Sequence, residues 1–154
     1  MEKEAGDWSA WYKTSEEREL ASHIIRLERA ALDKWFNGDT SGYDQLWSTR
    51  SFSYFDGVVT RRVDDHETIA QTLRELDGKL YADHYDFCCP RVQFGIDMAV
   101  LTYQLYAKTT LIDMEYNCVE VYQKEESGEW RVVRSTWSSI RPMEKVFGQA
   151  KEIV

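Results

Sequence analysis

Three alternating runs near the C-terminus carry the strongest structural signal in the chain. Two of them lie within Tyr116–Ser139 and flank a Ser127-Gly128 turn, a pattern typical of a long β-hairpin. The third, Met98–Ala107, directly precedes the hairpin and is expected to pair beside it as a meander. Such a sheet must bury one face, and helical patterns lie upstream to cover it. The sequence therefore predicts an α+β fold.

A long amphipathic helix is predicted at the start of the domain. Thr14 and Glu17 fit a capping box, and apolar residues then recur at helical spacing up to Phe36. Gly38 follows and can adopt the left-handed conformation that ends a helix. Glu28 is assigned to the polar side of this helix, opposite the apolar stripe.

Turn signals predict the remaining elements and the domain boundaries. Further elements are expected as helices at 41–47 and after Asp64, a brief strand at 52–55, and strands at 81–89 and 91–94 broken by Pro90. No linker or repeat divides the 154 residues, so we expect a single domain at residues 14–142. An N-terminal arm at residues 1–13 and a C-terminal tail at residues 143–154 flank it, and Met143, Val146 and Phe147 suggest a short helix in the tail.

Composition and charge argue against several classes of function. The net charge of −8 argues against a nucleic-acid partner. No apolar run approaches membrane-spanning length, and the N-terminus lacks the pattern of a secretory signal, so a cytoplasmic location is expected. The three cysteines lack framework spacing, which suits reduced thiols. Three scattered histidines and the lack of a glycine-rich phosphate loop argue against a metal and a nucleotide, so no cofactor is expected.

Strand alternation divides the predicted sheet into two faces. Pairing across the turn sets Val121 opposite Arg134 and Gln123 opposite Val132. The face assigned to the helices carries Leu101, Tyr103, Asn117, Val119, Val132, Arg134 and Thr136.

The other face of the predicted sheet carries large aromatic side chains, namely Tyr106, Tyr122 and Trp137. An apolar surface of that size usually marks an interface. We therefore expect a homodimer through this outer face.

Three segments, taken in their order along the chain, resemble the nuclear transport factor two-like superfamily, and most of all its SnoaL-like and ketosteroid-isomerase-like members. They are Ser53-Tyr54-Phe55-Asp56-Gly57, Asp97 to Tyr103, and Glu129 to Ser138, in which a Trp-Arg-Val-Val segment leads into Trp-Ser. The resemblance implies a cone-shaped, strongly curved, mixed or antiparallel sheet wrapped around N-terminal helices, with a pocket at the open end. The superfamily includes isomerases, cyclases, dehydratases and hydrolases as well as non-catalytic assembly and transport domains, so fold membership does not settle function.

Asp56 and His84 are the candidate catalytic residues. By the resemblance, Asp56 lies near the general base of ketosteroid isomerases. Packing against Tyr54 and Trp47 would partly desolvate its carboxylate and make it a better base. The alternative is that Asp56-Gly57 is an ordinary surface turn. His84 lies on a predicted strand and could act as an acid or base near neutral pH.

The candidate ligand-binding residues share the face assigned to the helices or lie near Asp56. Arg134 in a dry core must either meet a carboxylate, with Asp56 a candidate, or reach a pocket that binds an anionic or carbonyl group. The other members of the set are Trp47, Tyr54, Tyr103, Asn117 and Thr136, of which the tyrosines and Thr136 could donate to a developing oxyanion.

Two functions remain open on the sequence. The first is a small-molecule-binding domain, with or without cofactor-free acid–base chemistry of the isomerase, cyclase or dehydratase kind on a polar or carbonyl-bearing ligand. The second is a non-catalytic binding or assembly module that dimerises through its sheet. The sequence identifies neither a ligand nor a reaction.

Overall fold

A computed structural model describes residues 8–141. After a 3₁₀ turn at Trp8–Trp11, the helices are α1 (Ser15–Trp35), α2 (Ser41–Leu46) and α3 (His66–Arg74), and the strands are β1 (Ser53–Phe55), β2 (Tyr85–Gly95), β3 (Met98–Lys108), β4 (Asp113–Lys124) and β5 (Trp130–Ser139). The predicted tail helix and most of the predicted arm lie outside the described residues.

The first helix begins and ends where the sequence predicts. Thr14 Oγ1 accepts a hydrogen bond from the backbone N–H of Glu17 at 3.1 Å, and Glu17 Oε2 accepts one from the backbone N–H of Lys13 at 2.7 Å. These bonds satisfy donors that the first turn leaves free. Gly38 follows the helix with φ 76°, so the left-handed ending is confirmed.

The five strands form one mixed sheet in the order β1-β5-β4-β3-β2. The long strands pair antiparallel, and β1 pairs parallel to β5. The sheet curls around α1 without closing, so that Ile24 and Leu32 of the helix and Leu101 and Leu105 of β3 are all 0% exposed. The predicted α+β class and the strongly curved mixed sheet are therefore confirmed.

The predicted break at Pro90 is wrong. The two strands expected around it are one continuous strand, β2, whose pairing to β3 shifts between Cys88 and Arg91. Cys89 lies at φ 53°, and the extra residues form a bulge. A bulge accommodates a proline because the ladder bond is already missing at that point.

A second bulge overturns the predicted faces of the sheet. Val121 pairs with Arg134 as expected, but Tyr122 pairs with Val132, so Val133 is an extra residue in β5. An unpaired residue reverses the alternation of the strand beyond it. The inner face consequently carries Leu101, Tyr103, Cys118, Glu120, Tyr122, Val132, Ser135 and Trp137. Asn117, Val119, Arg134 and Thr136, which we had expected inside, lie on the outer face.

Candidate functional site

The structure contains an apolar cavity of about 260 Å³. Helices, loops and the inner sheet face all contribute to its wall, which consists of Trp35, Tyr43, Trp47, Tyr54, Asp56, Val58, Leu73, Leu76, Leu80, Leu111, Ile112, Met114, Tyr116 and Trp137. Asp56 is the one carboxylate among these described residues.

Asp56 is held in position by three hydrogen bonds. The Tyr54 hydroxyl donates to Oδ2 at 2.7 Å, and the backbone N–H groups of Val58 and Val59 donate to Oδ1 at 2.8 and 2.9 Å. Burial, reinforced by the adjacent carboxylate, raises the pKa of Tyr54 far above its usual value, so this hydroxyl remains a donor. Asp56 is therefore both the capping residue of a turn and an oriented carboxylate on the cavity wall.

Glu28 lies behind the cavity and is fully buried. The hydroxyls of Tyr43 and Tyr103 donate to its Oε1 at 3.0 and 2.5 Å, and that of Tyr122 donates to its Oε2 at 2.5 Å. Burial raises the pKa of Glu28, and the three hydroxyls act in the opposite direction. Its expected position on the solvent-facing side of α1 is wrong. The helical spacing Ile24, Glu28, Leu32 (i, i+4, i+8) places it in the apolar stripe and could have shown this.

Glu120 is a second fully buried acid. Its Oε1 accepts hydrogen bonds from Ser135 Oγ at 2.6 Å and from Trp137 Nε1 at 3.0 Å. Its Oε2 has no partner among the described residues. Burial and the nearby Glu28 raise the pKa of Glu120 well above its usual value, which favours the protonated form. The alternation of the strands could not predict this site, because the bulge in β5 places Ser135 and Trp137 beside Glu120.

The two acids are linked to the cavity through its wall. Tyr43 and Trp137 line the cavity, and their polar atoms bond to Glu28 and Glu120 respectively. Neither carboxyl is itself among the lining residues. Their direct effect is therefore to fix the orientation of two aromatic side chains that a bound molecule would touch.

Of the predicted site residues, Trp47, Tyr54 and Asp56 come together at the cavity. Trp47 is 2% exposed, and its ring centroid lies 5.7 Å from that of Tyr54. Tyr103 is separated from the cavity because its hydroxyl is bonded to Glu28 in the core.

The remaining predicted residues lie elsewhere. Arg134 donates to Ser53 Oγ at 3.2 Å, and its guanidinium carbon is 4.5 Å from the centroid of the Phe55 ring. Together with Arg50 and Arg62 it borders an open groove of about 830 Å³. The groove lies on the opposite side of β1 from Tyr54, because alternate side chains of a strand point to opposite faces. Arg134 thus neither enters the apolar cavity nor bonds to Asp56 among the described residues.

Asn117, Thr136 and His84 are also separated from Asp56. Asn117 accepts a hydrogen bond from Gln104 on the outer face at 2.9 Å, and Thr136 lies on that same face. His84 precedes β2 instead of lying in a strand, is 79% exposed and is 2.8 Å from Asp86 Oδ1. The bulge explains the first two displacements. The third arises because β2 begins at Tyr85.

The aromatic set proposed for the outer face is also corrected. Tyr122 is 0% and Trp137 8% exposed, both in the core, so neither can contact a second copy. Tyr106 alone of the three lies on the outer face.

Within residues 8–141, no cluster of three or more His, Cys, Asp or Glu side chains is placed to hold a metal ion. None of the helices described there has the length and apolar character needed to cross a membrane.

Comparison with known proteins finds solved structures similar to this chain, but no matching sequence family. No protein-family model matches the sequence, and no curated protein matches it. A ketosteroid isomerase candidate from Parabacteroides distasonis shares 28% identity, covering 78% of this chain and 87% of that chain with a TM-score of 0.68. An NTF2-like protein of unknown function from Pseudomonas putida shares 14% identity, covering 89% of this chain and 96% of that chain with a TM-score of 0.69. A dehydratase candidate from the NTF2-like family, from Streptomyces avermitilis, shares 12% identity, covering 80% of this chain and 97% of that chain with a TM-score of 0.65.

These solved structures have the same helices-in-a-curved-sheet architecture, and they match most of this chain and most of their own length. The resemblance inferred from the sequence is thereby confirmed: this chain has the fold of the nuclear transport factor two-like superfamily.

Proposed function

We propose that this protein binds a small, largely apolar, carbonyl-bearing molecule in the cavity beside Asp56. The observation that carries the proposal is the wall itself, in which apolar and aromatic side chains surround a single oriented carboxylate. Ligand sites are typically apolar clefts with a few placed polar groups. The volume of about 260 Å³ is below the usual range of about 300–1,000 Å³, which favours a small ligand.

Two unsatisfied donors support an acceptor group on the ligand. The indole nitrogens of Trp35 and Trp47 are buried and have no hydrogen-bond partner among the described residues, and both side chains line the cavity. A buried donor without a partner costs stability. A ligand carbonyl that reached either indole N–H would remove that cost.

The same arrangement supports cofactor-free acid–base chemistry. The Asp56 carboxylate can accept a proton from a carbon next to a ligand carbonyl, while the Tyr54 hydroxyl keeps the carboxylate oriented. Isomerisation and dehydration both need such a transfer. Arg134 does not support the polar ligand first expected, because it lies outside the cavity.

A thermal-shift screen of small ketones, enones and aromatic aldehydes tests the proposal. Asp56→Asn keeps the size of the side chain but removes its charge and basicity, and Trp47→Phe removes one indole donor. Arg134→Ala is the matched control because Arg134 lines the outer groove. We expect the first two variants, and not the control, to lose the ligand-induced shift. A shift abolished only by Arg134→Ala would place binding in the groove and contradict the proposal.

Turnover separates catalysis from binding. A hit compound that exchanges its acidic hydrogen for deuterium in the presence of the wild type, but not of Asp56→Asn, would establish the chemical role. Retained binding without exchange in the wild type would favour a passive ligand-binding domain.

The alternative function is a non-catalytic module that assembles through the outer sheet face. Its support is a ladder of partly exposed residues in which Val100 pairs with Val121 and Thr102 with Val119. Such a surface can bury apolar area against a second copy.

A further inference from the structure

The open groove beside β1 is separate from the apolar cavity and has a strongly charged wall. Its volume of about 830 Å³ lies within the range of about 300–1,000 Å³ that is usual for small-molecule sites. The cationic residues that line it are Arg50, Arg62 and Arg134. The acidic residues that line it are Asp64, Asp65 and Glu67. We call this feature the arginine groove.

The acidic side chains of the arginine groove are already engaged by neighbours. Asp64 accepts hydrogen bonds from both Nε and Nη2 of Arg62. Asp65 is the N-cap of α3, and its carboxylate accepts hydrogen bonds from the following turn. Glu67 Oε1 accepts a hydrogen bond from Arg74 Nη1 at 3.1 Å. Within residues 8–141, none of these carboxylates bonds to the other two arginines of the groove.

Those two arginines therefore carry charge without an ion-pair partner among the described residues. Arg134 donates a hydrogen bond to the neutral Ser53 Oγ at 3.2 Å. Partial burial and the like charge of Arg62 lower the pKa of Arg134, whereas Asp64 acts in the opposite direction. The exposed side chain of Arg50 has no hydrogen bond or ion pair in the part of the chain that the structure describes. A guanidinium remains charged in proteins, so both side chains can still pair with an anion.

An aromatic ring orients one of these guanidinium groups. The guanidinium carbon of Arg134 lies 4.5 Å from the centroid of the Phe55 ring, a cation–π distance. Phe55 also lines the groove and is 38% exposed, so an apolar surface lies next to the charge. A guanidinium held in this way loses little freedom when it donates two parallel hydrogen bonds to a carboxylate or a phosphate.

We propose that the arginine groove binds a small anionic molecule, in which a carboxylate or phosphate group is attached to an aromatic part. Arg50 and Arg134 bind the anionic group, and Phe55 contacts the aromatic part. The net charge of −8 repels anions from the molecule as a whole, so binding depends on these local cations. The groove lies on the opposite side of β1 from Tyr54, and the proposal is therefore independent of the ligand proposed for the cavity.

A titration with benzoate and phenyl phosphate tests the proposal, with benzyl alcohol as the neutral control. Nuclear magnetic resonance follows the Nε–H signals of the arginines. We expect saturable shifts of Arg50 and Arg134 with at least one anion and none with benzyl alcohol, and the anion that binds more tightly identifies the recognised group. Lack of saturable shifts would overturn the proposal. Shifts confined to the methyl groups of Leu73 and Leu76, which line the cavity, would also overturn it.

Three variants that each remove one positive charge test whether the site is local. Arg134→Gln and Arg50→Gln are expected to weaken anion binding by about tenfold or more, because each removes a charged hydrogen-bond donor. Arg50→Gln serves even where Arg134→Gln fails to fold, since Arg50 is exposed. Arg26→Gln is the matched control, because Arg26 lies on the exposed side of α1. Equal weakening by Arg26→Gln would show that only net charge matters and would overturn the proposal.

Light scattering separates a small anion from a carboxylate of a second copy of the chain. We expect Arg134→Gln to have the molecular mass of the wild type. A lower mass for this variant, together with a wild type that binds neither anion, would assign the groove to a second copy and overturn the proposal. Because charged probes and arginine signals are measured, a failed screen of neutral carbonyl compounds would leave these outcomes readable.

Discussion

At the scale of single residues, the core is organised around two carboxyl groups that accept hydrogen bonds from its aromatic side chains. Glu28 satisfies three tyrosine hydroxyls, and Glu120 satisfies Ser135 and the Trp137 indole. Each carboxyl group accepts hydrogen bonds from several buried donors that would otherwise lack a partner. The cost is that an acid in this environment is harder to ionise.

Stability is expected to fall as pH rises above the range in which a free glutamate titrates, near 4.3. Burial raises the pKa of Glu28, and burial with Glu28 raises that of Glu120 further. The folded state thus binds more protons than the unfolded chain, in which a glutamate titrates near 4.3. The stabilisation is complete below about pH 4.3 and is lost as pH rises toward the folded values, at up to about 1.4 kcal/mol per pH unit for each proton.

Glu120→Gln isolates one of these two contributions. The amide oxygen can still accept from Ser135 and Trp137, and the substitution removes the titration. We expect the fall in the free energy of unfolding between pH 5 and pH 8, measured by urea titration, to become smaller. Glu115→Gln is the control, since Glu115 is on the outer face of the same strand with a 49% exposed side chain. A wild-type pH slope in the Glu120 variant would contradict this account.

Tyr103→Phe is expected to lower the free energy of unfolding by about 1–3 kcal/mol, because it removes a hydroxyl bonded to a buried carboxyl. The comparison is Tyr106→Phe on the same strand, where the side chain points to the outer face and the loss should stay within about 0.5 kcal/mol. Urea unfolding at pH 6 measures both. Similar losses for the two variants would show that the Glu28 hydrogen bonds contribute little.

At the scale of elements, the sequence predicts what local patterns control and fails where one residue changes the register. The capping at Thr14 and the pairing of Val121 with Arg134 are correct because cap chemistry and turn position determine them. The inner face of the sheet is wrong because Val133 is an extra residue in β5. A bulge leaves no mark in an alternating sequence, yet it moves Arg134 out of the core. For the same reason, Trp137 could not be predicted on the cavity wall, whereas Trp47, Tyr54 and Asp56, which lie outside β5, were named from the sequence.

Gly38, which follows α1, and Gly78, which follows α3, test how strongly glycine is required where the chain leaves a helix. Gly38 and Gly78 both lie at positive φ, 76° and 71°, where an alanine is strained by about 1–2 kcal/mol. A Cβ on Gly38 would also stand 2.4 Å from the Tyr81 ring, whereas one on Gly78 would meet nothing within 4 Å. We expect Gly38→Ala to cost more free energy of unfolding than Gly78→Ala. Equal losses in urea titration would mean that the half-exposed Tyr81 ring moves aside freely.

At the scale of the whole molecule, the order of the elements was sufficient to predict the fold, but the surfaces were not predictable from it. A curved sheet around a long helix leaves one open end and one convex face, whatever the details of the side chains. The apolar cavity is bordered by the exposed side chains of Val58, Leu111 and Ile112. The convex face holds Val119 and Val121 in place of two of the three aromatic residues expected there, because Tyr122 and Trp137 are in the core.

The convex face gives the last prediction, a homodimer whose contact is centred on Val119. This residue pairs with Thr102 on one side and with Thr136 on the other, so it occupies the middle of the sheet. A specific interface buries about 1,200–2,000 Å² in total, and a lysine at its centre would be buried without a partner. We therefore expect light scattering to give a dimer mass for the wild type at micromolar concentration and a monomer mass for Val119→Lys.

Val58→Lys provides the matched control for this change. It introduces the same charge at a valine, but on the wall of the cavity, where the Val58 side chain is 80% exposed. A dimer through the convex face should tolerate it, since the two surfaces lie on different parts of the fold. Dissociation by Val58→Lys alone would transfer the contact to the mouth of the cavity. A monomeric wild type would contradict the assembly function. The cavity would then be the remaining basis for a function.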